Sequence, residues 1–304
     1  YTNKKGLMMK DTIRQLAKTK NAIILAHNYQ PPEIQDIADL CGDSLELSIK
    51  ASKTSADIIV FCGVHFMAET AVILSPEKTV LLPRTDAGCP MADMVEPEAL
   101  VEKKQALGNI PVITYVNSSA AVKAVSDICC TSANVIKIVN SLESNEVLMT
   151  PDKNLAMYAA ANTDKKVHFW DGYCPFHNQL TVSDVEKAKT EHPKALFIAH
   201  PECPPEILAL ADSIQSTSGM ISFAGQSEHE QFILGTETGL LYPISKAYPQ
   251  KQFFAASEKM FCEDMKKISL VDVVESLENL SGQVRVPEEI RVRALGSVEK
   301  MINL

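Results

Sequence analysis

Short apolar runs alternate with longer amphipathic stretches along the whole of this 304-residue chain. The runs are Ala22–Ala26, Asp57–Cys62, Thr79–Leu82, Pro111–Val116, Glu146–Met149, Lys166–Phe169, Ala195–Ala199, Gln231–Leu234 and Gln252–Ala255. Runs of this length separated by helical segments are the βαβ signature of a mostly parallel sheet, so the pattern predicts an α/β fold. Lys10–Lys18 reads as a short charged helix. Beyond Cys262 the chain reads as charged helical segments that pack on, or cap, what precedes them. The strands fall into three groups of three.

The groups resemble one another. Their first strands read IILAHN, VITYVN and LFIAHP, which aligns His27 with Val116 and His200. Short polar elements follow, ADLCGDS, SDICCTS and ADSIQST, which align Ser44, Ser132 and Thr217. After the third strand of each group comes a cysteine: Cys89, Cys174 and Cys262. These landmarks recur about 86 residues apart, too long for a solenoid unit, so each repeat is a small α/β unit of its own. The expected units are 1–92 with the N-terminal helix, 93–178, and 179–304 with the C-terminal segments. Within the first copy, only Tyr29 lacks an obvious counterpart.

Composition narrows the function. The net charge of -9 argues against nucleic acid or anionic membrane as a partner. The most apolar stretch, Ala56–Leu74, is broken by Asp57, His65 and Glu69, so no membrane span is expected. The start has no apolar signal region, and a cytoplasmic location is the default. Eight cysteines in a chain of this kind do not imply disulfides, and no C-x-x-C pair exists. Cys41, Cys62, Cys129 and Cys130 read as small buried hydrophobes.

In parallel α/β units, sites form at the carboxyl ends of the strands. Three such ends facing one centre would bring Cys89, Cys174 and Cys262 together. Three equivalent thiolates cannot all pair as disulfides; they suit zinc with one open position, or an iron–sulfur cluster with one open iron. The absence of His at the equivalent positions favours the cluster. Ser44, Ser132 and Thr217 each suit a helix N-cap. Aimed at one centre, three helix N-termini make an anion site from N–H groups and hydroxyls, which points to small carboxylate or phosphate substrates. His27 and His200 stand at equivalent strand ends. Tyr29 and Glu202 are candidate acid and base. Tyr115 and Asn117 form the corresponding polar pair in the second unit, as hydrogen-bond donor and as orienting group for a carbonyl or carboxylate.

With AHNYQ-x-PEIQDIAD-x-x-GDSLEL, GVHFMAE, YVNSSA, CTSAN, HPEC and MKK in this order, the sequence closely resembles the quinolinate synthases over nearly its full length. The resemblance implies three homologous three-layer αβα sandwich units with parallel sheets around a pseudo-threefold axis. It implies a [4Fe-4S] cluster held by Cys89, Cys174 and Cys262, with one iron not ligated by cysteine. The implied reaction condenses iminoaspartate with dihydroxyacetone phosphate to quinolinate, phosphate and water, in de novo NAD synthesis. The upstream aspartate-oxidising enzyme is an implied source of the unstable iminoaspartate. Matching positions make His27, Ser44, Tyr115, Asn117, Ser132, His200, Glu202 and Thr217 substrate-binding residues, with Ser216 or Ser218 as alternatives to Thr217. Tyr29 matches a tyrosine implicated in acid–base chemistry, and Glu202 and Tyr115 join it as catalytic candidates. His65 replaces an expected acidic residue and is left out of the site. CEDMKK lacks further nearby cysteines, so no thiol–disulfide switch is expected there. The other enzyme class compatible with three cysteines and an open iron is a hydro-lyase acting on a single dicarboxylate. A non-enzymatic iron–sulfur sensor would need a partner-binding or DNA-binding element, and none is visible.

Overall fold

The computed structural model describes residues 2–304, with side chains from residue 6 onward. Twelve strands form three four-stranded, fully parallel sheets. The first holds β1 (Ala22–His27), β2 (Leu40–Gly42), β3 (Ile58–Cys62) and β4 (Thr79–Leu81). The second holds β5 (Val112–Tyr115), β6 (Ile128–Cys130), β7 (Glu146–Thr150) and β8 (Lys166–Phe169). The third holds β9 (Leu196–Ala199), β10 (Ser213–Ile214), β11 (Gln231–Gly235) and β12 (Gln252–Ala255). Each has the same order, second–first–third–fourth. Helices flank the sheets, which gives three αβα units. The nine expected strands are all present. Three short ones were not expected: β2, β6 and β10 lie within the elements read as polar, and two or three residues are too few to show a period.

An aspartate device repeats in all three units. Asp39 accepts the N–H of Ile24 at 2.8 Å and donates its own N–H to the Ile24 carbonyl at 2.8 Å. Asp127 does the same with Val112 at 2.7 and 3.1 Å, and Asp212 with Phe197 at 2.8 and 2.8 Å. A carboxylate that caps the backbone ahead of a short edge strand fixes its register on the first strand. The triplication therefore extends from sequence landmarks to hydrogen bonds.

The predicted N-terminal helix is longer than its charged core suggested, Thr2–Thr19. Helix Leu270–Asn279 packs against it. The final helix, Glu288–Asn303, packs on helices His65–Leu74 and Ala120–Ala124. The tail thus lies against the first and second units. Between these helices it runs beside β4, with Leu82 N–H donating to Gly282 and Val284 N–H to Val80, at 2.8 and 2.9 Å. This covers a sheet edge that would otherwise expose unpaired backbone. Gly282 has φ of 75°, and a Cβ there would collide with the Leu82 carbonyl oxygen.

Asp36 fastens the first unit to the third. Its carboxylate accepts from Lys10 at 2.8 Å, from the Tyr242 hydroxyl at 2.6 Å and from Lys246 at 2.8 Å. Burial would raise its pKa, but the bonds from Lys10, Lys246 and Tyr242 outweigh this and hold it well below the usual carboxylate range. A depressed folded-state pKa contributes stability that is present above the unfolded value of 3.8 and is lost as pH falls below it. Asp36→Ala should cost about 1–2 kcal/mol at pH 7, and less at pH 3, in urea unfolding. An equal cost at both pH values would show that the ion pairs do not carry the effect.

Candidate active site

All twelve residues singled out from the sequence line one cavity. They are His27, Tyr29, Ser44, Cys89, Tyr115, Asn117, Ser132, Cys174, His200, Glu202, Thr217 and Cys262. The cavity sits at the carboxyl ends of β1, β5 and β9, the strands at which strand order reverses in each sheet. Parallel sheets leave a crevice at such switch points. Three units supply three crevices, and here they open on one space. No Lys or Arg is among the described residues that line it.

The N-cap expectation needs correction. Asp43 caps helix Ser44–Lys53, accepting from Leu45 and Glu46 N–H at 3.0 Å each within a capping box. Ser216 caps helix Thr217–Gln226, accepting from Gly219 N–H at 3.2 Å. Helix Val135–Ser141 starts after Asn134, beyond Ser132. A carboxylate is at least as good a cap as a hydroxyl, and a shift of one residue was not visible in the pattern. Capping falls to neighbours, so the hydroxyls of Ser44, Ser132 and Thr217 remain available to the cavity. Of the alternatives to Thr217, Ser216 is the cap and Ser218 bonds Glu46.

His27 and His200 are held alike. The N–H of Tyr29 donates to Nδ1 of His27 at 3.2 Å, and that of Glu202 to Nδ1 of His200 at 3.3 Å. Burial lowers both pKa values to about 3, with Lys266 adding to the effect at His27 while Glu202 opposes it at both. Both rings are therefore neutral, with Nδ1 as acceptor and the proton on Nε2, a donor for an anionic oxygen. The same bonds identify the counterpart that Tyr29 was thought to lack: it is Glu202, two residues beyond the equivalent histidine.

His177 was missed. Its Nδ1 lies 2.7 Å from Glu202 Oε2 and 3.2 Å from Cys174 Sγ. Its Nε2 lies 2.9 Å from Thr236 Oγ1, which is 2.6 Å from the Tyr29 hydroxyl. The signal was C-P-F-H, a histidine one helical turn after a site cysteine. It stands beside Cys174 alone: the residues three past Cys89 and Cys262 are Ala92 and Met265. A carboxylate only accepts, so His177 donates from Nδ1 to Glu202, which in the neutral tautomer leaves Nε2 to accept from Thr236. Thr236 then accepts from Tyr29. The result is a directed chain from phenol to carboxylate. All four groups are buried.

The two ends of that chain differ in proton affinity. Burial, aided by Glu202, pushes the Tyr29 phenol well above its ordinary value. Burial would raise Glu202 too, but the hydrogen bonds it accepts from His177 and Tyr115 counter burial and hold it below its ordinary value. Tyr29 therefore holds a proton at rest and Glu202 does not. Tyr115 also interacts with Ser132. The buried Oδ1 of Asn117 has no partner among the described residues, an acceptor left for a ligand.

The three cysteines fit a metal centre. All are free thiols. Burial pushes Cys89 up to about 12, Cys262 up to about 11 and Cys174 well above the ordinary thiol value. A backbone N–H three residues on, that of Ala92, His177 or Met265, acts in the opposite direction and favours each thiolate. Each cysteine precedes a helical turn that supplies that donor: Ala92–Met94, Pro175–Asn178 and Asp264–Lys266. Threefold repetition of N–H groups aimed at sulfur suits thiolates bound to a cation.

The comparisons decide the family. The model of the family described as "Quinolinate synthetase A protein" matches residues 11–303. The quinolinate synthase of Geobacter metallireducens is 56% identical over 294 residues, 97% of each chain. Quinolinate synthase 1 of Methanosarcina acetivorans is 53% identical over 290 residues, 95% of each chain. The chain belongs to the quinolinate synthase family. The quinolinate synthase of Dehalococcoides mccartyi is 52% identical over 292 residues, 96% of this chain and 97% of its own. The segments that end the strands, AHNY, YVN and HPEC, bring His27, Tyr115 and His200 to the cavity. His65 is exposed and lines a separate surface hollow with Glu69 and Asp86. None of the described helices is long and apolar enough to cross a membrane.

Proposed function

We propose that this protein is a quinolinate synthase that condenses iminoaspartate with dihydroxyacetone phosphate, releasing phosphate and water, in de novo NAD synthesis. The observation that carries the reading is one cavity in which each of three repeated units places a cysteine and a serine or threonine hydroxyl. Cys89, Cys174 and Cys262 would hold a [4Fe-4S] cluster with one iron free of cysteine. Bound there, the cluster supplies a Lewis acid for an oxygen of the substrate. His177 and Glu202 also approach Cys174 closely enough to suggest a mononuclear site. Both ring nitrogens of His177 already have partners, which leaves it a hydrogen-bonding group.

The remaining chemistry falls to side chains. Neutral His27 and His200 and the hydroxyls of Ser44, Ser132 and Thr217 bind carboxylate and phosphate oxygens without a salt bridge. Asn117 accepts from an N–H or O–H of the substrate. Tyr29 delivers a proton to the substrate, or takes one while passing its own through Thr236 and His177 towards Glu202. Tyr115 orients Glu202 and a bound oxygen. Tyr29, Thr236, His177 and Glu202 are all buried, which keeps bulk water from the proton path. Iminoaspartate is unstable, so an aspartate-oxidising enzyme in the same compartment, the cytoplasm, is the expected supplier.

The test is whether anaerobically purified, iron-containing protein needs dihydroxyacetone phosphate and releases phosphate with quinolinate. Water addition to a dicarboxylate without a triose phosphate would overturn the reading in favour of a hydro-lyase. Thr236→Val, isosteric but unable to relay a proton, should lower kcat about 10- to 100-fold with KM within about threefold. A proportional rise in KM instead would assign Thr236 to substrate binding.

A further inference from the structure

Beside each site cysteine, a carboxylate holds the backbone. Asp152 Oδ2 accepts the N–H of Cys174 at 3.0 Å. Glu237 Oε1 accepts that of Cys262 at 3.1 Å. Asp264 Oδ1 accepts that of Gly88, the residue before Cys89, at 3.0 Å. Asp152 and Glu237 are equivalent positions, each two residues past the third strand of its unit, β7 or β11. Each also binds the turn it begins: Asp152 Oδ1 accepts from Leu155 N–H and Glu237 Oε2 from Gly239 N–H, both at 2.7 Å.

The first unit breaks the pattern. The residue two past β3 is Val64, which has no polar group to offer. The missing carboxylate comes from another unit. Asp264 stands two residues after Cys262, in the third unit, and reaches across to Gly88. Lys267 Nζ holds Asp264 Oδ1 at 2.7 Å and the Asp86 carbonyl at 2.6 Å. The loop that carries Cys262 is thereby bonded to the loop that carries Cys89. The rest of the same loop is tied to the first unit as well. Gln30 Nε2 donates to the Met265 carbonyl at 2.7 Å, and Lys266 bonds the Tyr29 carbonyl and, at 2.7 Å, Glu237.

We infer that Asp152, Glu237 and Asp264 are positioning residues for the metal centre, and that Asp264 sets the Cys89 loop against the Cys262 loop across the boundary between units. The inference rests on the metal-centre reading above. Asp152 and Glu237 are buried, at 2% and 1% exposure, and these N–H groups, with Lys266 at Glu237, are the partners that satisfy their oxygens. A carboxylate bonded to two backbone segments at once restrains both, which places the sulfurs before a metal arrives. Cysteines on three separate units have no covalent link to fix their spacing, so the spacing depends on such bonds.

The experiment compares wild type, Asp264→Ala, Asp264→Asn and Lys267→Ala, all purified anaerobically. Iron and sulfide per chain are measured, then the rate at which a chelator such as EDTA removes the iron. Asp264→Ala should release iron about tenfold faster or more. Asp264→Asn, whose amide oxygen still accepts from Gly88, should stay within about threefold of wild type. Lys267→Ala, which loses the ion pair but keeps the Asp264–Gly88 bond, should also stay near wild type. If Asp264→Ala does not fold, Asp264→Ser, too short to reach Gly88, takes its place. Equal release by wild type and the short variants overturns the inference alone. Wild-type protein without iron overturns the metal centre and the inference with it.

Discussion

Tyr29→Phe should lower turnover about 10²- to 10⁴-fold, the usual contribution of a positioned general acid–base group. The change removes one oxygen and nothing else from a packed site. Tyr29 is buried, and its ring meets His27 edge to face at 4.5 Å, a contact that phenylalanine keeps. The hydroxyl is bonded to Thr236 Oγ1, and with it goes the end of the chain that leads through His177 to Glu202. Cys89, Cys174 and Cys262 do not bond this hydroxyl, so iron content should remain at the wild-type value. Dicarboxylate binding, measured by titration calorimetry, should change by less than about threefold, because the anion donors are on other residues. Full turnover in Tyr29→Phe would remove the tyrosine from the acid–base chemistry. Loss of iron along with turnover would make it structural.

Cys89→Ala should abolish turnover and strip the protein of most of its iron and sulfide. Two thiolates on separate units hold a cluster poorly. The ionisable groups that act on the Cys89 sulfur, Cys262 and Glu202, are already part of the site. The fold should survive, because Cys89 packs at the edge of the core rather than inside it. Far-ultraviolet circular dichroism of the metal-free wild type and variant should therefore coincide. Iron retained at the wild-type ratio would mean that another group, His177 being the best placed, serves as a ligand. That outcome would favour the Cys174, His177 and Glu202 cluster over the three-cysteine centre.

The interface between the first and third units governs both effects. Gly239 approaches Tyr29 so closely that a Cβ would fall 2.7 Å from the Tyr29 carbonyl oxygen. Gln35 Nε2 donates to the carbonyls of Asn28 and Gln30 at 3.0 and 2.8 Å, which shapes the turn that carries Tyr29. Thr236 and Glu237, two consecutive residues after β11, bond the Tyr29 hydroxyl and the Cys262 backbone respectively. Acid chemistry and metal holding are thus set by one short segment of the third unit.

The strands, the parallel α/β class, the repeat and the twelve cavity residues were legible from the sequence. Strands are local and periodic, and a repeat multiplies each weak signal by three. Cysteines, histidines and hydroxyls at equivalent places then single themselves out. Three kinds of feature needed the tertiary structure. Strands β2, β6 and β10 are too short to carry a period. Caps depend on which of two adjacent polar residues turns inward, and Asp43 and Ser216 took that role from Ser44 and Thr217. Partners across units have no sequence spacing at all. Tyr29 meets Thr236, His177 meets Glu202 and Gly88 meets Asp264 only because three separately folded sheets turn their carboxyl ends to one space. A side chain's chemistry is written in the chain; the partner that gives it a proton, a tautomer or a fixed position is set by packing.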